Sequence, residues 1–266
     1  MTLLSVENLR IALPAGADRS HALYDLSLQL RSGECLCVVG ESGSGKSMLA
    51  KALLRQLPTP LTVESGRLVF RDEDLANRSE AAMRELRGRD ISMVFQEPMS
   101  ALNPLLRVGE QIDETLRAHG VKSSRERRQR VVDLLGYVGL PDPERLRLAY
   151  PFELSGGQRQ RVMIAMALAF DPALLIADEP TSALDVTTQA QILDLLRKIQ
   201  QDKGMALLFI THDFAVVEAI ADRVLVLEKG VSVEQGSARQ VLREPKAAYT
   251  RQLLAAVSAE PLAPRG

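Results

Sequence analysis

The sequence predicts an α/β fold with a parallel sheet at its centre. Residues 173–177 are wholly apolar and residues 206–211 nearly so, and runs this short and this hydrophobic suit strands covered on both faces. A further observation points the same way. Residues 40–47 form a glycine-rich turn set between a short apolar run and a helical pattern, the strand–turn–helix order from which parallel sheets are assembled.

Taken in order, residues 3–13 and 23–30 read as short strands, the second partly alternating, with Leu26, Leu28 and Leu30 on one face. Residues 34–39 make a short apolar strand ending at Gly40, and residues 47–57 a helix stopped before Pro58. Residues 66–70 read as another strand. From Pro98 to Leu154 the pattern is helical and more polar, broken by Asn103-Pro104 and by a turn at 141–143. Residues 158–169 read as a helix, and Asp185 caps one that runs to about Gln201. Residues 223–227 and 231–234 flank Lys229-Gly230 as a hairpin. After Gln252 alanine and proline accumulate, so residues 255–266 are expected to be a flexible tail beyond a single domain over 1–254.

Composition narrows the function classes. The 266 residues are 46% hydrophobic, 25% charged and 4% aromatic, an ordinary globular balance with an aliphatic core. A net charge of -1 exerts no global pull on nucleic acid. Residues 125–130 hold five charges, four of them arginines; a solvated helix face is the plain reading and a nucleic-acid contact the weaker alternative. Cys35 and Cys37, two apart in an apolar run, fall on one face of a strand. They build no disulfide framework, suit a reducing compartment, and find no second Cys or His pair to complete a metal site. The first ten residues read as neither signal peptide nor span, and no apolar run approaches the roughly 20 residues of a membrane helix. Any membrane role is expected to come through a partner.

Gly40-Glu41-Ser42-Gly43-Ser44-Gly45-Lys46-Ser47 fits the spacing of a phosphate-binding loop, with the strand before it and the helix after it that the chemistry needs. Glycines let backbone N–H groups turn inward around phosphate oxygens at the positive end of the helix. Lys46 would reach the β- and γ-phosphates and the Ser47 hydroxyl would ligate Mg²⁺. That loop alone leaves kinases, GTPases, helicases and transporters open. The strand ending in Asp178-Glu179 narrows the choice: Asp178 stands where a Mg²⁺-associated carboxylate belongs, and Glu179 follows as a general base for water. The pair points to hydrolysis rather than transfer to a second substrate. Ser155-Gly156-Gly157-Gln158, directly before a helix, offers a second anion site. One nucleotide has little use for two such sites on one chain, but two chains set head to tail could exchange them.

At this segment the sequence resembles the ABC ATPase family, from about Leu3 to Gln252. The resemblance implies ATP and Mg²⁺ as ligands, with Gln96 as the Q-loop residue touching Mg²⁺ and the attacking water. It implies Asp185, in Ser182-Ala183-Leu184-Asp185, as the D-loop, and His212 as the switch histidine contacting γ-phosphate. It departs at the adenine stack, since residues 15–21 offer no aromatic ring except His21, with Tyr24 close to the strand. The fold implied is a P-loop NTPase (RecA-like) parallel-sheet core, with an antiparallel β-subdomain and a helical subdomain inserted at about 97–155.

Residues 94–104, 161–168, 183–192 and 249–254 look like the oligopeptide, dipeptide and nickel importers of that family. Longer relatives there continue into a cysteine-bearing segment able to hold an iron–sulfur cluster. No cysteine follows Cys37, so a short form is expected. The partners implied are two transmembrane permease subunits, a second ATPase (paralogue or copy) and, indirectly, an extracytoplasmic solute-binding protein. The place implied is the cytoplasmic face of the inner membrane. A chromosome-maintenance ATPase would separate loop and signature with a long coiled coil, and a translation-associated protein would carry two cassettes; neither pattern is present.

Overall fold

The computed structural model describes residues 1–259 of the chain. Its elements begin with strands β1 (Thr2–Ala12), β2 (His21–Arg31) and β3 (Cys35–Val39), helix α1 (Lys46–Leu53), and strands β4 (Thr62–Phe70) and β5 (Glu73–Asp74). Then come α2 (Glu80–Leu86), β6 (Ile91–Val94), α3 (Pro98–Ala101), α4 (Val108–Ala118), α5 (Ser124–Tyr137), α6 (Pro143–Leu146) and α7 (Gly156–Ala167). The remainder is β7 (Leu174–Asp178), α8 (Val186–Lys203), β8 (Ala206–Thr211), α9 (Phe214–Ile220), β9 (Arg223–Glu228), β10 (Val231–Ser237), α10 (Ala238–Arg243) and α11 (Ala248–Ala259). The described residues divide into two compact units, 1–77 with 208–259, and 78–207. No helix among the described residues is long and apolar enough to cross a membrane.

In the first unit one sheet is antiparallel, in the order β2-β1-β4-β5. Its register pairs Leu4 with Leu30, Val6 with Leu28 and Leu9 with Leu26, all buried, which is the reason for the leucine alternation in β2. The other runs β10-β9-β3-β8, and β3 pairs with β9 in parallel from Leu36–Arg223 to Val39–Val226. Every residue of β3 is buried, Cys35 and Cys37 included as free thiols. The Asp222 carboxylate accepts from the Cys35 N–H at 2.8 Å and so fixes the start of the strand. β9 and β10 form the expected hairpin around Lys229 (φ 47) and Gly230 (φ 89), both left-handed as a tight turn needs.

In the second unit β6 and β7 pair in parallel, Ile91 with Leu174 through Val94 with Ala177. Leu174 to Ala177 have no exposed surface, and each large side chain buried this way contributes about 1.5–3 kcal/mol. Helices α3–α6 fill the stretch expected to be helical. The charged run on α5 is only in part a solvated face. Arg127 bonds Asp113 at 2.7 Å and the Val121 carbonyl at 2.9 Å, and Arg130 donates to the Ala169 carbonyl at 2.8 Å over the Phe170 ring. Those arginines bracket α5 to its neighbours.

Several boundaries differ from expectation for local reasons. Helix α1 stops at Leu53 rather than near 57, because Arg55 turns left-handed (φ 50) and Gln56 N–H closes onto Lys51 O at 2.8 Å. Helix α7 begins two residues early, where Ser155 and Gln158 satisfy each other's backbone N–H groups. Residues 255–259 continue α11, where a tail was expected; the rest of that expected tail lies outside the described residues.

Candidate functional site

The first unit holds the glycine-rich loop. Gly40 has φ 151, and a Cβ there would lie 2.1 Å from the Leu227 carbonyl oxygen, so the turn out of β3 passes too close to β9 for any side chain. Gly45 (φ 107) abuts the Ala22 carbonyl in the same way, at 2.5 Å. Gly43 (φ 78) has nothing within 4 Å of its would-be Cβ and borders open space. Gly230 N–H donates to the Ser44 carbonyl at 2.9 Å and thereby ties the β-hairpin to the loop.

Lys46 is 5% exposed, and its ammonium donates to the carbonyls of Gly40 at 2.7 Å and Glu41 at 2.9 Å, which holds it along the loop. The Ser44 hydroxyl is buried without a hydrogen-bond partner. Amides, an ammonium and an unpaired hydroxyl at the N-terminus of α1 form a set that suits phosphate. Glu41 and Ser42 are exposed, and Ser47, half-buried, opens the helix beside Lys46. Two groups outside the expected set join the loop. The Tyr249 hydroxyl of α11 accepts from Glu41 N–H at 3.3 Å, its own proton held on by burial. Arg19 donates to the Gly43 carbonyl. Neither bond spans a motif-length stretch of chain, so neither could be read from spacing. His212 is exposed just past β8, between buried Thr211 and Asp213, the N-cap of α9. At the start of β2 the His21 ring sits 5.0 Å from that of Tyr24 and bonds Glu64 at 2.8 Å.

The second unit holds the other candidates. Asp178 is 8% exposed at the carboxyl end of β7. Glu179 follows with φ 47, a left-handed backbone that a non-glycine residue adopts only under strain. Its carbonyl accepts from the Ser182 hydroxyl at 3.1 Å, and its carboxylate from Gln96 Nε2 at 3.0 Å. Gln96 and Glu179, 83 residues apart, are thus brought together. Ser155 caps α7, and Gly157 has a structural duty as well: a Cβ there would strike Thr188 of α8 at 2.5 Å. Asp185 is the expected cap of α8, accepting from Thr188 N–H at 3.0 Å and its hydroxyl at 2.7 Å. Those bonds hold the Asp185 carboxyl below the usual carboxylate range. No cluster of three or more His, Cys, Asp or Glu among the described residues is placed to hold a metal.

With the loop, the paired carboxylates and the capped serine–glycine segment in place, comparison with known proteins is decisive. The ABC transporter profile matches residues 23–182. The chain belongs to the ABC transporter family. The cassette is 52% identical over 255 residues to the peptidoglycan transport ATP-binding protein YejF of Agrobacterium fabrum, covering 96% of this chain and 47% of that one. It is 49% identical over 261 residues to the glutathione import ATP-binding protein GsiA of Salmonella typhimurium, covering 96% of this chain and 42% of that one. The chain thus spans about half the length of the curated relatives it matches. Its fold superposes with a TM-score of 0.78 on the dimeric post-hydrolysis state of the ATP-binding cassette MJ0796 bound to ADP and Pi. That cassette is 29% identical, and the match covers 89% of this chain and 99% of that one. The expected P-loop NTPase core, with its antiparallel β-subdomain and added helices, is therefore the fold of this ABC cassette.

Proposed function

We propose that this cassette binds and hydrolyses ATP to drive an importer of small peptide-derived solutes. The observation that carries it is the glycine-rich loop at the head of α1, where Lys46 lies along the carbonyls of Gly40 and Glu41 and the buried Ser44 hydroxyl has no partner, so that phosphate oxygens would meet these groups with the amides of 40–47. Glu179 is the general base in this reading. Its carboxylate accepts one hydrogen bond from Gln96, which orients it, and accepts a proton from the attacking water. His212 serves the γ-phosphate. Ser155, Gly156, Gly157 and Gln158 serve the nucleotide of a facing chain, and Asp185 holds the start of α8 beside them. Mg²⁺, held by Ser47, Asp178 and Gln96, would supply charge neutralisation at the phosphates.

The relatives' names support the choice of cargo: peptidoglycan in one, glutathione in the other, both peptide-containing, in line with the peptide side of the expected peptide-or-nickel alternative. The partners proposed are two membrane permease subunits, a second ATPase and, beyond the membrane, a solute-binding protein. The cassette then sits peripherally on the cytoplasmic face of the inner membrane. The test is a pair of variants assayed for turnover and nucleotide affinity. Glu179→Gln should lower hydrolysis by roughly 10²–10⁴-fold while ATP still binds. Lys46→Ala should weaken ATP binding itself. Near-normal turnover in the glutamine variant removes Glu179 from the role of base.

A further inference from the structure

The segment between β1 and β2 covers the stretch where the family's adenine-stacking ring is missing, yet it carries a cation to the phosphate loop. Its base is closed by Leu13 N–H on Ser20 O at 2.9 Å, and Ala17 N–H bonds Pro14 O at 3.2 Å within it. Arg19, near its end, is half-buried and donates through Nη2 to the carbonyl of Gly43. Its Nε is buried and has no hydrogen-bond partner, and among the described residues no carboxylate lies within ion-pair distance of its guanidinium. Some half-buried arginines of the chain end on acids, Arg127 on Asp113, Arg147 on Glu144 and Arg223 on Glu34, and others on carbonyls, as Arg130 and Arg159 do.

A partly desolvated guanidinium with one neutral acceptor and one orphaned N–H is under-satisfied, and the group that best completes it is an anion. The phosphate loop is where this cassette would gather anionic oxygen. We propose that Arg19 is a further phosphate-binding residue, reaching in from the β1–β2 segment to the polyphosphate of the bound nucleotide. This rests on the reading of 40–47 as a phosphate loop and adds a contact outside it. Because the contact is to phosphate, it is indifferent to the base. Because it is a guanidinium, lysine replaces its charge but not its planar set of donors.

The experiment titrates ATP, GTP and inorganic tripolyphosphate into the wild-type chain and the variants Arg19→Ala and Arg19→Lys, over a range of salt, with nucleotide-free melting temperatures alongside. Arg19→Ala should weaken all three ligands by a similar factor of roughly 10- to 100-fold and flatten the salt dependence. Arg19→Lys should recover part of the loss. Should alanine destabilise the free protein, lysine against wild type carries the comparison, with a smaller loss shared equally by the three ligands. Loss confined to ATP would place Arg19 on the base and overturn the proposal. Unchanged affinity in the alanine variant, or equal loss in both variants, would overturn it too. If the wild-type chain binds none of the three, the phosphate-loop reading itself fails and this one with it.

Discussion

At the scale of single residues, the phosphate loop shows how a motif's glycines divide their work. Gly40 and Gly45 are required because carbonyl oxygens of neighbouring strands occupy the space of a Cβ, at 2.1 and 2.5 Å, and both sit at positive φ. Gly43, with open space beside it, is held to its type by φ 78 alone. Gly45→Ala should therefore push the head of α1 away from β2, lowering both the melting temperature and ATP affinity. A variant that melts and binds like wild type would show that the Ala22 backbone yields easily. Lys46, Asp178 and Glu179 were legible from spacing because their chemistry is built within a few residues of chain. The Gln96–Glu179 bond, Arg19 and Tyr249 were not, since a hydrogen bond between distant segments leaves no local period.

At the scale of elements, caps and anchors decide where helices begin. Asp185 and Ser155 start α8 and α7 from sequence-local bonds, and both are visible in the sequence as capping residues. Helix α11 was not foreseen, and part of its hold is a residue of β10. Glu234 accepts from the N–H groups of Lys246 at 2.8 Å and Ala247 at 3.1 Å, just ahead of the helix. Burial pushes that carboxyl up, but the backbone donors outweigh it and hold it below the usual glutamate range. A depressed folded-state value gives stability that is present above the unfolded-state value, about 4.3, and is lost as pH falls through the folded one. Hydrogen exchange of the α11 amides should thus be slow at neutral pH and accelerate on acidification. In Glu234→Gln it should be faster at neutral pH with less change below pH 4. A pH profile identical to wild type would remove Glu234 as the anchor.

At the scale of the whole molecule, residues 155–158 are proposed to serve a facing chain's nucleotide, which makes a prediction of its own. Ser155 is exposed at the N-terminus of α7, where its hydroxyl accepts from its capping partner, the Gln158 N–H. Ser155→Arg should leave ATP affinity of the monomer nearly intact while abolishing ATP-driven association and turnover, read by mass in solution and by phosphate release. Loss of ATP binding by the monomer would show that Ser155 serves its own chain's nucleotide.

The sequence by itself determined the α/β class, the glycine-rich turn between β3 and α1, the strand ending at Asp178, and the cap at Asp185, because each is encoded in residues adjacent along the chain. Turn, helix dipole and strand end are local physics. Only the tertiary structure decided that Gly157 serves close packing against Thr188, that Arg127 and Arg130 bracket α5, and that Gln96 meets Glu179. It alone placed Arg19 and Tyr249 on the phosphate loop, 24 and 208 residues from their partners. Such contacts depend on how strands order and helices pack, and that order is set by burial summed over many distant residues.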